Sequence, residues 1–199
     1  MVIGERFAWG HVPKTGGEAT REMFGIFPEL IVFSDPRGSV EQHTSFADRD
    51  VLVRGKLLAL NIRRLPAWIV SREQHKSRHG LWPDYTPIPM DTPEKMASTT
   101  FPDYRLGGFL DNGRFQIDRW LRTELLLDDF LAFLTELTEV TDERRARVAA
   151  LGPVNVNPYD HELGSWFSAE QVERLYRNNP LWAGIEERVY GGLLIENAG

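Results

Sequence analysis

The sequence has no cysteine among its 199 residues, which excludes disulfide bonds, thiolate metal sites and a cysteine nucleophile. It also lacks an apolar run of membrane-spanning length and a basic-then-apolar leader pattern at its beginning. Positive charge is in deficit, because 23 Lys and Arg stand against 29 Asp and Glu, for a net charge of −6. That balance argues against nucleic-acid binding, although a local basic pocket is compatible with it. We therefore expect a cytoplasmic protein with neither a membrane nor a nucleic-acid partner.

Hydrophobic residues make up 42% of the chain and charged residues 26%, as in an ordinary globular protein of one domain. Short apolar runs that predict strands alternate with longer segments of helical periodicity. This alternation predicts an α/β domain, covering residues 1–199, with a central and mainly parallel sheet flanked by helices. Strands are predicted at 6–9, 29–33, 56–62 and 115–123, and helices at 18–27, 66–79, 105–112, 124–140, 141–147, 168–178 and 182–189.

The residues around the first predicted strand form the most informative pattern. A strand at 6–9 leads into a tight turn at 13–17, and a helix is predicted directly after it. The turn carries one cation, Lys14, and one hydroxyl, Thr15. Backbone N–H groups, the helix dipole and glycines that permit close approach together make such a turn a cradle for an anion.

The order of residues in this turn distinguishes it from the Walker A loop, in which Lys and Ser or Thr follow the last glycine. Here Lys14 and Thr15 precede Gly16 and Gly17. The pattern His-x-Pro-Lys-Thr-Gly-Gly resembles the 5′-phosphosulfate loop of sulfotransferases that use 3′-phosphoadenosine 5′-phosphosulfate (PAPS). The resemblance is closest to the branch related to carbohydrate O-sulfotransferases.

This resemblance implies a three-layer P-loop-like fold and transfer of a sulfuryl group from PAPS to an acceptor hydroxyl. The acceptor would be a small molecule, a lipid or a glycan, the desulfated product would be PAP, and no metal would be needed. The donor would be held by the loop residues Pro13, Lys14, Thr15, Gly16 and Gly17.

A second motif resembles the part of these enzymes that binds the 3′-phosphate. In the family, an Arg ends a strand and a Ser follows eight residues later on the next helix, which is the spacing of Arg63 and Ser71. The proline here lies two residues after Arg64 instead of Arg63, and Ile69 stands where the family has a second Arg. Which of Arg63 and Arg64 binds the phosphate is therefore open.

One residue departs from the family at the loop itself. Glu18 follows Gly17, where the family has a Ser or Thr that helps to hold the 5′-phosphate. A carboxylate facing inward would repel that phosphate, whereas one facing outward would be a favourable acidic residue at a helix start. Thr20 is the candidate to supply the missing hydroxyl.

Two residues are predicted to be catalytic. Lys14 is placed to bind the bridging oxygen of the donor, and His43, after the second predicted strand, is the first candidate for the general base. His75, His11 and Glu18 are the alternatives for the base.

Two further segments resemble the family weakly, one at 120–130 and one formed by 154–158, 166–168 and 190–191. The irregular region 80–102 is predicted to be a loop on the substrate side. A non-catalytic relative that binds nucleotide or a protein partner is the alternative function, and a P-loop nucleotide kinase is less favoured. The identity of the acceptor and the existence of a homodimer are left open.

Overall fold

The computed structural model describes residues 1–81, 85–152 and 158–195. They divide into two compact units, one drawn from Met1–Ile62 and Gly107–Asn155, the other from Arg63–Leu106 and Val156–Gly199. The prediction of a single sulfotransferase-like domain over residues 1–199 stays a prediction.

The first unit contains a five-stranded mixed sheet with the strand order β3-β1-β2-β4-β5. β2, β4 and β5 run parallel, whereas β1 pairs antiparallel with both β2 and β3. The strands are β1 (Val2–Ile3), β2 (Phe7–His11), β3 (Phe33–Ser34), β4 (Leu57–Ile62) and β5 (Arg119–Arg122).

The α/β class is confirmed, but the prediction of a mainly parallel sheet is wrong, because two of the four strand pairings in the described residues are antiparallel. β1 is only two residues long, so it carries no periodicity from which it could be predicted. The strand predicted at 29–33 is also wrong. Its first part belongs to a 3₁₀ turn, Pro28–Leu30, and only its last residue, Phe33, pairs in the sheet.

The helices of the described residues confirm most of the helical predictions, with ends that shift by a few residues. They are α1 (Gly17–Phe24), α2 (Asp50–Val53), α3 (Leu65–His79), α4 (Pro93–Ala97), α5 (Phe101–Leu110), α6 (Leu126–Thr135), α7 (Asp142–Ala149), α8 (Ala169–Asn178) and α9 (Pro180–Tyr190).

Aromatic side chains form the core of the first unit. Phe24 of α1 stacks on Phe7 of β2 with ring centroids 5.4 Å apart, and its edge meets Phe130 of α6 at 5.0 Å. α6 contributes Phe130, Leu131 and Leu134 to this core. Each fully buried aromatic side chain contributes about 2 to 3 kcal/mol, so this packing fixes α1, and with it the turn that precedes α1, against the sheet.

Helices build the second unit. Trp68 of α3 packs on Trp182 of α9 with ring centroids 4.9 Å apart. The carboxylate of Asp103 accepts hydrogen bonds from the backbone N–H groups of Leu181 and Trp182, both at 2.8 Å, and so caps the start of α9. A capping box marks the start of α8, where Ser168 and Gln171 exchange side-chain and backbone hydrogen bonds.

The region predicted as an irregular loop at 80–102 contains the short helix α4 and is tied to α3 through Asp91. The buried carboxylate of Glu73 accepts from the backbone N–H of Asp91 at 3.0 Å, and Lys76 bridges the two carboxylates at 2.5 and 3.2 Å. Residues 82–84 of this loop and 153–157 of the weakly matching C-terminal segment lie outside the described residues. Within the described ranges, no helix is both long enough and apolar enough to cross a membrane.

Candidate functional site

The predicted anion cradle lies between β2 and α1. β2 ends at His11, and α1 begins at Gly17. Lys14 and Gly16 both have left-handed backbone conformations, with φ of 71° and 84°. Glycine adopts this conformation without strain, whereas lysine does so at a cost that the surrounding contacts must offset. The turn is therefore held in a specific shape.

A neutral hydrogen-bond network holds the turn from inside the first unit. The carbonyl of Thr15 accepts from Asn61 Nδ2 at 2.9 Å and from Thr123 Oγ1 at 2.9 Å. Trp9 Nε1 donates to Asn61 Oδ1 at 2.6 Å, so the amide of Asn61 is fixed from both ends. The Thr15 side chain turns back to donate to the Val12 carbonyl at 2.6 Å. The peptide plane after Thr15 is thus oriented by a buried amide and a half-buried hydroxyl.

The next carbonyl of the turn also faces the protein. Gly16 O accepts from the backbone N–H of Thr20 at 3.0 Å and from its hydroxyl at 3.1 Å. The Thr20 hydroxyl is buried and accepts in turn from Asn61 Nδ2 at 2.9 Å. With its carbonyls turned inward, the turn presents the first N–H groups of α1, which a helix leaves without intrahelical acceptors. In this arrangement Thr20 braces the turn, and its predicted contact with the 5′-phosphate stays a prediction.

His11 packs directly beneath the start of α1. A Cβ added to Gly17 would lie 1.9 Å from the His11 ring, so only glycine fits there. The His11 ring stacks on Trp9 with centroids 5.1 Å apart and meets the His43 ring edge-on at 4.7 Å. His11 is buried, which fits a packing role, whereas His43 is half-buried and lies at the end of a 3₁₀ turn, Val40–His43. His43 Nε2 lies 3.2 Å from the side-chain amide nitrogen of Gln42.

The carboxylate of Glu18 is engaged by an arginine. Arg37 Nε donates to Glu18 Oε2 at 2.9 Å, and Arg37 Nη1 lies 2.5 Å from Glu22 Oε1. These bonds, led by the one to Glu22, raise the pKa of Arg37 above its ordinary value. The sequence leaves open whether this carboxylate faces inward or outward; in the structure it pairs with Arg37, and the Glu18 side chain is 26% exposed.

The two arginines of the second motif have different surroundings in the second unit. Arg64 Nη1 lies 3.1 Å from Glu186 Oε1, and its guanidinium lies 4.1 Å from the centre of the Tyr190 ring. Glu186 is fully buried and also accepts from the backbone N–H of Leu65 at 2.8 Å and from Tyr176 Oη at 2.6 Å. Burial raises the pKa of Glu186 and that of the Tyr176 hydroxyl. Arg64 therefore neutralises the buried carboxylate of Glu186 on α9, which also binds the backbone at the start of α3.

Arg63 instead borders a pocket. The pocket is small and open to solvent, and its polar and aromatic lining includes Arg63, Tyr159, Asp160, His161 and Trp166. Arg63 Nη2 lies 3.5 Å from Tyr159 Oη, and the rings of Tyr159 and His161 are 4.2 Å apart. Ser71, the other member of the motif, is buried on α3. Between the two arginines, these surroundings favour Arg63 as the one that meets a ligand.

The remaining candidate for the base, His75, lies on α3 with its ring 5.0 Å from that of His79. It belongs to the second unit, as do Arg63 and Ser71. Lys14, His43 and the other residues of the first motif belong to the first unit.

Three residues of the first unit are important here and were not among the predicted site residues: Asn61, Thr123 and Arg37. The sequence holds an indication that Asn61 has a role, because it is a polar residue inside the apolar run Leu-Leu-Ala-Leu-Asn-Ile. A buried amide must find hydrogen-bond partners. Thr123 had only the weak resemblance of the segment 120–130, and Arg37 had no indication, because it meets α1 only through the fold.

Comparison with known proteins gives no relative, since the chain matches no protein-family model, no curated protein and no solved structure. In the part of the chain that the structure describes, no group of three or more His, Asp or Glu side chains is arranged to hold a metal ion.

Proposed function

We propose that this protein is a PAPS-dependent O-sulfotransferase. The observation that carries the proposal is the turn from His11 to Gly17, whose carbonyls at Thr15 and Gly16 accept hydrogen bonds from the side chains of Asn61, Thr123 and Thr20. A turn of this shape at a helix start suits a phosphate or sulfate group. The residue order of the turn, with Lys before the glycines, is the order of the PAPS enzymes and not of the ATPases.

In this proposal the donor supplies an activated sulfuryl group. Lys14 binds the bridging oxygen, on which negative charge develops as its bond to sulfur breaks. His43 accepts the proton of the acceptor hydroxyl as the new sulfur–oxygen bond forms, and PAP leaves. Arg63 is the residue that we propose for the 3′-phosphate, because a guanidinium binds phosphate through two charge-assisted hydrogen bonds and Arg64 already pairs with Glu186.

The test is thermal stabilisation by PAP, ADP and AMP in the wild type and in Lys14→Ala. A ligand present at a hundred times its dissociation constant adds about 2.7 kcal/mol to the free energy of unfolding. We expect strong stabilisation of the wild type by PAP, weak stabilisation by ADP, and loss of the PAP effect in Lys14→Ala. Lys95→Ala is the matched control, because Lys95 is exposed and pairs only with Asp91 among the ion pairs of the described residues.

Equal stabilisation by PAP and ADP would contradict the proposal. If PAP is preferred, incubation with PAPS labelled in the sulfuryl group and a panel of hydroxyl acceptors should then give a labelled product. A protein that binds PAP tightly but transfers no label to any acceptor would be a non-catalytic relative.

A further inference from the structure

Glu18 introduces a negative charge at the place where the proposed function needs an anion to bind. It is the second residue of α1, directly after Gly17. A carboxylate in the first turn of a helix is attracted to the same N–H groups and the same dipole that would attract a phosphate. An unopposed Glu18 would therefore compete with the ligand as an internal anion and would also repel it.

Arg37 opposes this charge from a turn that is itself anchored. The buried carboxylate of Asp35 accepts from Arg49 Nη2 at 2.9 Å and from the amino group of Met1 at 2.9 Å. Two residues further along, Arg37 reaches Glu18 at 2.9 Å while it also contacts Glu22, one helical turn below. The guanidinium is thus held on the same face of α1 as both glutamates.

The other arginine beside this face, Arg21, interacts with Glu18 through its charge but makes its hydrogen bonds elsewhere. Arg21 Nη1 donates to Ser34 Oγ at 2.7 Å and to the Asp35 carbonyl at 2.9 Å. It makes no ion pair with Glu18 among those of the described residues. Arg37 is therefore the cation that pairs with Glu18.

We propose that Arg37 covers the charge of Glu18 and so preserves the affinity of the His11–Gly17 turn for an anionic ligand. In this account Arg37 is a positioning residue that acts on the ligand through Glu18. The inference rests on the proposed function, in that the turn must bind an anion. It distinguishes two roles for Arg37, since an arginine that bound the ligand itself would matter whether or not Glu18 carried a charge.

The experiment is a double-mutant cycle in which calorimetry measures the affinities for PAP and for inorganic pyrophosphate. The proteins are the wild type, Arg37→Ala, Glu18→Gln and the double variant. We expect Arg37→Ala to weaken binding of both anions by about threefold to tenfold, the size expected for a partly exposed charge facing a multiply charged ligand. In the Glu18→Gln background, the same removal of Arg37 should change the affinity by less than about twofold.

Glu22→Gln is the matched control, because it removes the second contact of Arg37 and leaves the Glu18 pair in place. It should bind both anions within about twofold of the wild type. Raising the salt concentration to about 0.5 M should shrink the effect of Arg37→Ala, because the charges are partly exposed.

Three outcomes would overturn the inference: an equal loss of affinity from Arg37→Ala in both backgrounds, no loss in either, or a wild type that binds neither anion. The proposed function fails separately. The cycle could show that Arg37 and Glu18 are coupled in pyrophosphate binding while PAP binds no more tightly than ADP. In that case the proposed role of Arg37 is supported and the sulfotransferase assignment is contradicted.

Discussion

In the first unit, the turn before α1 is held by neutral amide and hydroxyl donors, whereas in the second unit the start of α3 is held by the buried carboxylate of Glu186. The neutral donors, Asn61 and Thr123, orient the carbonyl of Thr15 without adding charge. The charged cluster pairs Glu186 with Arg64. We call the contacts of Asn61 and Thr123 the neutral brace and those of Glu186 and Arg64 the charged brace. The neutral brace leaves the positive potential of the helix start available to an outside anion. The charged brace is neutralised within the protein.

The largest expected effect comes from breaking the charged brace. Glu186→Ala would leave the Arg64 cation without its buried counter-charge and would remove the acceptor of Tyr176 and of the Leu65 N–H. We expect a loss of about 3 to 5 kcal/mol in the free energy of unfolding, measured by urea denaturation. Glu187→Ala, at the exposed neighbouring position, should cost less than about 0.5 kcal/mol. Similar values for the two variants would refute a structural role for the cluster.

Breaking the neutral brace should cost less. Asn61→Ala removes a hydrogen bond from three groups: Trp9 Nε1, the Thr15 carbonyl and the Thr20 hydroxyl. The Thr15 carbonyl keeps its bond from Thr123 and the Thr20 hydroxyl keeps its bond to Gly16 O, whereas the buried Trp9 donor loses its acceptor. We expect a loss of about 2 to 3 kcal/mol, because one buried donor is left unsatisfied and two further buried hydrogen bonds are lost, together with weaker binding of PAP. Gln116→Ala, an exposed amide in the same unit, serves as the control and should leave both quantities unchanged. A destabilised Asn61→Ala protein that binds PAP normally would separate the brace from the ligand site.

A third variant tests the packing beneath the turn. In Gly17→Ala the new Cβ would collide with the His11 ring, which cannot move aside easily because it stacks on Trp9. We expect a loss of about 1 to 3 kcal/mol from overpacking. Gly184→Ala in α9 meets no atom within 4 Å, so it should stabilise by up to about 1 kcal/mol, since alanine favours a helix. The two substitutions should therefore shift the melting temperature in opposite directions.

The smallest expected effect is the pH dependence of stability that comes from the ion pairs of Asp91 with Lys95 and Lys76 in the second unit. The hydrogen bond from Lys95, followed by that from Lys76, lowers the pKa of Asp91 below 3.8. The folded protein then binds this proton more weakly than the unfolded chain, so the stabilisation is present above pH 3.8 and is lost as pH falls through the folded pKa. Below about pH 4, the wild type should lose more stability on acidification than Asp91→Asn does. An equal loss of stability on acidification in the two proteins would contradict this assignment.

The sequence predicts what depends on local pattern. The strands at β2 and β4, the long helix α3 and the capping box at Ser168 all follow from periodicity or from residue identity at fixed offsets. It fails at β1 and β3, each two residues long, whose pairing is created by the sheet. The mixed character of the sheet depends on these two strands, and so was not predictable.

The site divides in the same way. The position of the turn 13–17, between β2 and α1, is recognisable from sequence because proline and paired glycines mark turns. The residues that control it come from elsewhere in the chain: Asn61 lies 46 positions from Thr15 and Arg37 lies 19 positions from Glu18. Such pairings are set by the fold, and a single sequence holds no local signal for them.

Calorimetric titration of PAP and of ADP into the wild type and into Arg63→Ala tests the central claim most directly. Our account predicts that the wild type binds PAP at least about tenfold more tightly than ADP, because a phosphate–guanidinium contact is charge-assisted. It also predicts that Arg63→Ala abolishes this preference while it keeps the fold. Equal affinities of the wild type for PAP and ADP would contradict the assignment of this protein as a PAPS-dependent enzyme.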